Sequence, residues 1–109
     1  MLKTLKAMLG FENEEDASLD TKLNYLLTMA TQRLQVLLGG LEPPAELEYI
    51  VIDVAAARFN RLGSEGLKGH TVEGESLQFN DNDFDSFAND IQAYLDRQKE
   101  AKRGKVRFI

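Results

Sequence analysis

The densest run of side chains able to do chemistry is Asn80-Asp81-Asn82-Asp83-Phe84-Asp85. With Asp81 as first ligand, Asp83 and Asp85 fall at the offsets of a calcium-binding loop. Such a loop also needs glycine at its sixth position and a bidentate glutamate at its twelfth. Here those positions hold Ser86 and Gln92. The carboxylates therefore read as a helix entry, where they cap free N–H groups and face the positive end of the helix dipole. His70 is the single histidine and lies among glycines, without partners that would make it a general base or metal ligand. It reads as an exposed loop residue. The glycines of Gly63-Ser64-Glu65-Gly66-Leu67-Lys68-Gly69 invite a phosphate-loop reading. That motif follows a buried strand and ends in Gly-Lys-Ser/Thr, whereas a helix precedes this segment and His70-Thr71 follows it. The absence of cysteine removes thiol nucleophiles, disulfides and thiolate metal sites. No catalytic group, metal or cofactor is expected.

Charge is the more unusual feature. The net charge of −5 divides into +5 over residues 97–109 and −10 over the rest. A basic tail on an acidic body can be solvated, can dock on a protein, or can bind nucleic acid phosphates. Repulsion by the body and the lack of aromatics other than Phe108 weigh against a nucleic-acid platform.

These groups need elements to position them. At 109 residues, 43% hydrophobic and 28% charged, the chain suits one domain with its own core. Residues 2–9 form a short amphipathic helix with Leu2, Leu5, Met8 and Leu9 on one side, expected to pack on its own domain or a neighbour. An acidic linker follows. Leu19, Leu23, Leu26, Leu27, Ala30, Leu34, Leu37 and Leu38 recur at three- and four-residue steps, predicting a helix over 19–38, capped by Ser18 and stopped by Gly39-Gly40. Pro43-Pro44 opens a second long helix over about 45–62, closed by Gly63. One of its sides carries Leu47, Ile50, Val51, Val54, Ala55, Arg58 and Leu62, and another Tyr49, Ile52, Ala56 and Phe59. Apolar character on nearly all sides means a central position or a second subunit contact. Residues 70–80 suggest a short β-hairpin or irregular loop around Glu73-Gly74. Phe84, Phe87, Ala88, Ile91, Tyr94 and Leu95 predict a third long helix over 83–97. The stripe then ends, and Lys105-Val106-Arg107-Phe108-Ile109 alternates basic and apolar side chains like a strand.

The expected fold is thus a mainly α, small helical bundle of three main helices plus a short N-terminal helix, with an extended C-terminal arm. One domain over 1–109 divides into an N-terminal segment (1–18), a helical core (19–97) and a basic arm (98–109). No apolar run approaches the roughly 20 residues that span a bilayer. The start, MLKTLKAMLGF, is interrupted by Lys6 and lacks a small-residue cleavage site before its acidic run, so it reads as unsecreted.

The segment from Arg58 to Lys68 resembles the arginine-, asparagine- and glycine-rich segment of phage head–tail connector proteins. His70-Thr71-Val72-Glu73-Gly74-Glu75-Ser76 is similar to the hairpin-like stretch that follows in that family. Asn80 to Phe84 looks like its acidic helix start, and Gly104 to Ile109 like its usual ending. The resemblance runs from about residue 19 to the end. It implies a structural virion protein, made in the host bacterial cytoplasm, that forms a ring, usually of twelve subunits, beneath the portal protein. The ring extends the DNA channel toward the stopper or tail, and DNA passes without sequence-specific binding. On this reading Arg58, Asn60, Arg61, Gly63, Glu65 and Gly66 form a motif loop with candidate subunit contacts. Lys105, Val106, Arg107, Phe108 and Ile109 dock on the portal as an added strand. Two alternatives stand beside it. A small cytosolic DNA-associated or regulatory protein using the basic tail would show steeply salt-dependent DNA affinity. A minor enzyme subunit would need a pocket of perturbed titratable groups.

Overall fold

The structure, a computed structural model, describes the backbone of residues 1–69 and 81–107 and the side chains of 1–62 and 83–101. Four helices follow one another: α1 (Leu2–Leu9), α2 (Ala17–Leu37), α3 (Glu48–Gly69) and α4 (Ala88–Arg107). A short 3-10 turn, Ala45–Leu47, leads into α3, and a 3-10 segment, Asp81–Phe87, leads into α4. No strand occurs among the described residues, and the expected hairpin at 70–80 lies outside them. The mainly α bundle is as expected.

Local chemistry explains most of the helix boundaries. Gly10, at φ +85°, ends α1 in the left-handed conformation, and Phe11 N–H donates back to the Lys6 carbonyl at 2.7 Å. Asp16 caps α2, its carboxylate accepting from Ser18 N–H at 2.9 Å and Leu19 N–H at 3.3 Å. The cap is therefore Asp16 and not Ser18. Its extended backbone (φ −125°, ψ 110°) aims the carboxylate at the free N–H groups of the first turn. Gly39 and Gly40, at φ +75° and +98°, turn the chain back toward α3.

α2 and α3 form an antiparallel pair at the centre. Leu23, Leu26, Leu27, Ala30 and Leu34 pack with Ile50, Val51, Val54 and Ala55, all buried. Each of the Leu, Ile and Val side chains, once fully buried, stabilises the fold by about 1.5–3 kcal/mol. The N-terminal helix belongs to the same core, for Leu5 is fully buried and Lys6 pairs with Asp20 of α2 at 2.8 Å. Phe11 meets Phe59 edge to face, centroids 5.7 Å apart. On the remaining flank Phe84, Ile91 and Tyr94 are buried, with Phe87 and Leu95 partly so. Ile52 and Ala56 of α3 are buried as well. The apolar surplus of α3 is thus used by its central position within one chain.

Two boundaries differ from expectation. α3 runs through Gly63 and Gly66 to Gly69, so Gly63 does not close it. An interior glycine costs a helix only about 1 kcal/mol relative to alanine, which neighbouring turns can outweigh. α4 continues to Arg107, so residues 98–107 are helical and the arm is not extended there. Basic residues in the last turns of a helix complement its negative end, and five alternating residues are too few to oppose that. Phe108 and Ile109 lie outside the described residues.

Candidate functional site

Arg58 occupies the apolar side of α3 in series with Val51, Val54 and Ala55, and is only 2% exposed. A guanidinium in such a place must be paired. Its Nε lies 3.0 Å from Oδ2 of Asp83, and one turn further along α3 the Arg61 guanidinium donates to Oδ1 of the same carboxylate at 2.5 Å. Asp83 is itself 8% exposed, whereas Arg61 keeps 42% of its side chain in water. Burial pushes the Arg58 pKa below its ordinary value, and the second arginine acts in the same direction. The Asp83 carboxylate opposes both. The result is a clasp in which one carboxylate from the 3-10 segment holds two arginines of α3.

Two further polar contacts tie α4 to the beginning of α3. The Tyr49 hydroxyl donates to the Asp90 carboxylate, and Arg97 pairs with Glu46. Tyr49 also meets the Phe87 ring edge to face, centroids 6.0 Å apart. Hydrogen bonding to Asp90 raises the Tyr49 pKa above the usual phenol value, because the neutral hydroxyl is the donor the carboxylate requires. The negative charges of Asp90 and Asp53 add to the effect.

The residues singled out by the sequence motif do not form a loop. Arg58, Asn60, Arg61, Gly63, Glu65 and Gly66 all lie on α3. Of these, Arg58 is buried against Asp83, Arg61 shares that partner at the surface, and Asn60 is exposed. The side chains of Gly63 to Gly69 lie outside the described set, as do those of Lys105, Val106 and Arg107. Asp83 was the residue that sequence reasoning missed, because a carboxylate before a helix is usually a cap. Its signal was on the other helix, in an arginine placed on an apolar side.

An open cleft of about 520 Å³ lies between the start of α1 and the middle of α2, lined by residues that include Leu2, Leu27, Thr28 and Gln32. No acidic, basic or histidine side chain lines it. Among the described residues there is no group of acidic residues, histidines or cysteines that could hold a metal ion, and no helix long and apolar enough to cross a membrane. The chemistry of the described surface is that of packing and charge pairing.

Comparison with known proteins adds the family. A family model described as phage gp6-like head-tail connector protein matches residues 1–94. The matched stretch takes in α1 through the first third of α4, the clasp included, and stops before the basic part of α4. No curated protein and no solved structure matches the chain.

Proposed function

The chain belongs to the phage gp6-like head–tail connector family, and on that premise we propose that it assembles as a ring on the portal and extends the DNA channel toward the stopper or tail. A structural virion role follows from the family itself. The observation that carries the reading is the match over residues 1–94, most of the chain. The charge distribution supports it. A body of net −10 lets DNA pass without adhering, since like charges repel. The basic arm is steered toward an acidic portal surface. Lys105, Val106, Arg107, Phe108 and Ile109 are the proposed portal-docking residues, and Asn60 and Arg61, exposed on α3, the motif residues proposed to face a neighbouring subunit.

The free protein is expected to be monomeric or weakly associated, because its described outer faces are mostly polar and its net charge is negative. A portal template raises the effective concentration of one copy beside the next. Native mass spectrometry of the chain with and without its cognate portal tests this. A ring should form only in the portal's presence. Deleting residues 104–109 should abolish portal binding and leave the melting temperature nearly unchanged. A scrambled tail of equal charge should not restore binding. A tight dimer indifferent to portal, with steeply salt-dependent DNA binding, would instead establish the regulatory alternative.

A further inference from the structure

α2 buries one side and leaves another bare. Leu23, Leu27, Ala30 and Leu34 are buried, whereas Tyr25 and Val36 are 49% and 62% exposed. Those two stand about half a turn round the helix from Leu23 and Leu34. Met29, half-buried, and Gln32, exposed, fall between them, so Tyr25, Met29, Gln32 and Val36 make one stripe at four- and three-residue steps. Charge on this helix is sparse. Asp20 is paired with Lys6, and the other charged residues are Lys22 and Arg33. No acidic residue occurs from Thr21 to Leu41.

α3 is buried on most sides yet keeps one bare strip. Tyr49, Asp53, Ala57 and Asn60 follow one another at four- and three-residue steps and are all exposed. Asp53 and Ala57 each lie two residues, about 200° of helical turn, from Val51 and Ala55, which are buried with the α2 leucines. The strip therefore turns away from α2, as the α2 stripe turns away from α3. Its charge is acidic. Asp53 has no ion pair among the described residues. Asp90, which accepts from the Tyr49 hydroxyl, adds a second exposed carboxylate.

The two faces match in more than sign. Laid antiparallel they run in step, with Val36 beside Tyr49, Met29 over the small Ala57, and Tyr25 beside Asn60. Each of these pairs is also nearly equidistant, counted in residues, from the turn joining α2 to α3. The two helices are antiparallel within one chain. A copy set alongside in the same orientation thus presents its α3 antiparallel to its neighbour's α2, without a shift along the helices.

We infer that the α2 stripe of one copy packs on the α3 strip of a second copy of this chain. The contact joins two different patches, so it is head-to-tail and propagates from copy to copy, closing when the rotation allows. It rests on the ring reading above and deepens it by naming the two faces that meet. Two narrow stripes bury far less than the roughly 800 Å² per partner of a standard stable interface. The contact is accordingly weak between free chains and persists where a template gathers the copies.

Disulfide trapping tests the inference, because the chain has no cysteine of its own and a disulfide needs Cα atoms within about 7 Å. An equal mixture of full-length Met29→Cys and Ala57→Cys chains, mildly oxidised on the cognate portal, should link. A mixture of Val36→Cys and Ala57→Cys, about 10 Å out of register, should not. The double variant M29C/A57C should give a ladder of dimers, trimers and longer species, since each copy carries both faces. Free chains should form the same links more slowly. Adding Y25D/V36D to the double variant should reduce linking on the order of tenfold, and adding D53K should also reduce it. Circular dichroism and melting temperature should stay nearly unchanged, because these side chains are exposed. Equal linking of the matched and mismatched pairs, a ladder that stops at dimers, or links indifferent to Y25D/V36D overturns the inference. So does a large loss of melting temperature in Y25D/V36D, which would show that the chain covers this face itself. A ring on the portal without the matched link would sink these two faces alone, whereas failure of the wild type to bind portal would sink the reading beneath them.

Discussion

Arg58 and Asp83 meet inside the bundle, Nε to Oδ2 at 3.0 Å, with both side chains almost wholly withdrawn from water. A buried ion pair adds little net stability compared with a well-packed apolar pair, because two charges must be desolvated to make it. Removing one partner is a different matter, since the other charge is left behind without compensation. Asp83→Ala should cost about 3–5 kcal/mol in a denaturant melt. Arg61→Ala, at the exposed side of the same carboxylate, should cost about 1 kcal/mol or less. Replacing both members, Arg58→Met with Asp83→Leu, should recover most of the loss. A cost below about 1 kcal/mol for Asp83→Ala would mean that the clasp does not hold in solution.

The core makes a more ordinary demand. Leu5, Leu27 and Ile91 bring α1, α2 and α4 into one buried cluster. Truncating any of them to alanine should destabilise the protein by about 2–5 kcal/mol. Leu5→Ala is the informative case, because a loss under about 1 kcal/mol there would show α1 to be only loosely attached.

Two backbone devices frame the acidic connection. Gly10→Ala places a Cβ on a residue at φ +85° and should cost about 1 kcal/mol by strain alone, since the space around it is open. Asp16→Ala removes the α2 cap and should cost about 1 kcal/mol. Chemical melts of the two single variants and the double measure each contribution and their coupling.

The Tyr49–Asp90 hydrogen bond gives a pH signature at alkaline values. The folded state holds the protonated phenol, so the bond's contribution is fully present below the ordinary phenol pKa of about 10. It is lost as pH rises through the raised folded value. Asp90→Asn removes the dominant cause of that rise, so Tyr49 should ionise at lower pH in the variant. Phenolate absorbance, with Tyr49→Phe identifying the shifted group, reads this directly. Coincident titration curves for wild type and variant would refute the assignment.

The helices were legible from spacing because each buries one continuous stripe. Leu23, Leu26, Leu27, Ala30 and Leu34 repeat at helical steps and are all buried. The ends were less so. Ser18 and Asp16 are both competent caps, and only the backbone angles decide between them. Gly63 looked like a stop because glycine often is one, yet the energy at stake is smaller than the turns on either side contribute. Similarly, the alternation at 105–109 is a weak periodic signal next to a long helix already under way. The clasp required a pairing between distant segments, which no local pattern encodes. What could be read was half of it: an arginine among valines and alanines on a buried face needs a carboxylate from somewhere.

The polar contacts along the 3-10 segment and α4 fall at Asp83, Asp90 and Arg97, seven residues apart each time, but their partners on the α3 side are unevenly spaced at Arg58 and Arg61, Tyr49 and Glu46. An even scale read against an uneven one works as a vernier. Slide α4 by two turns in one direction and Asp90 would face Glu46 while Arg58 would lose the Asp83 carboxylate. In the other direction Asp90 could replace Asp83, but Arg97 would face Tyr49 and Glu46 would lose its cation. Apolar positions alone would tolerate such a slip, since Phe84 and Ile91 repeat at the same seven-residue interval. The polar trio therefore sets alignment more than strength, holding α4 in a single register against α3.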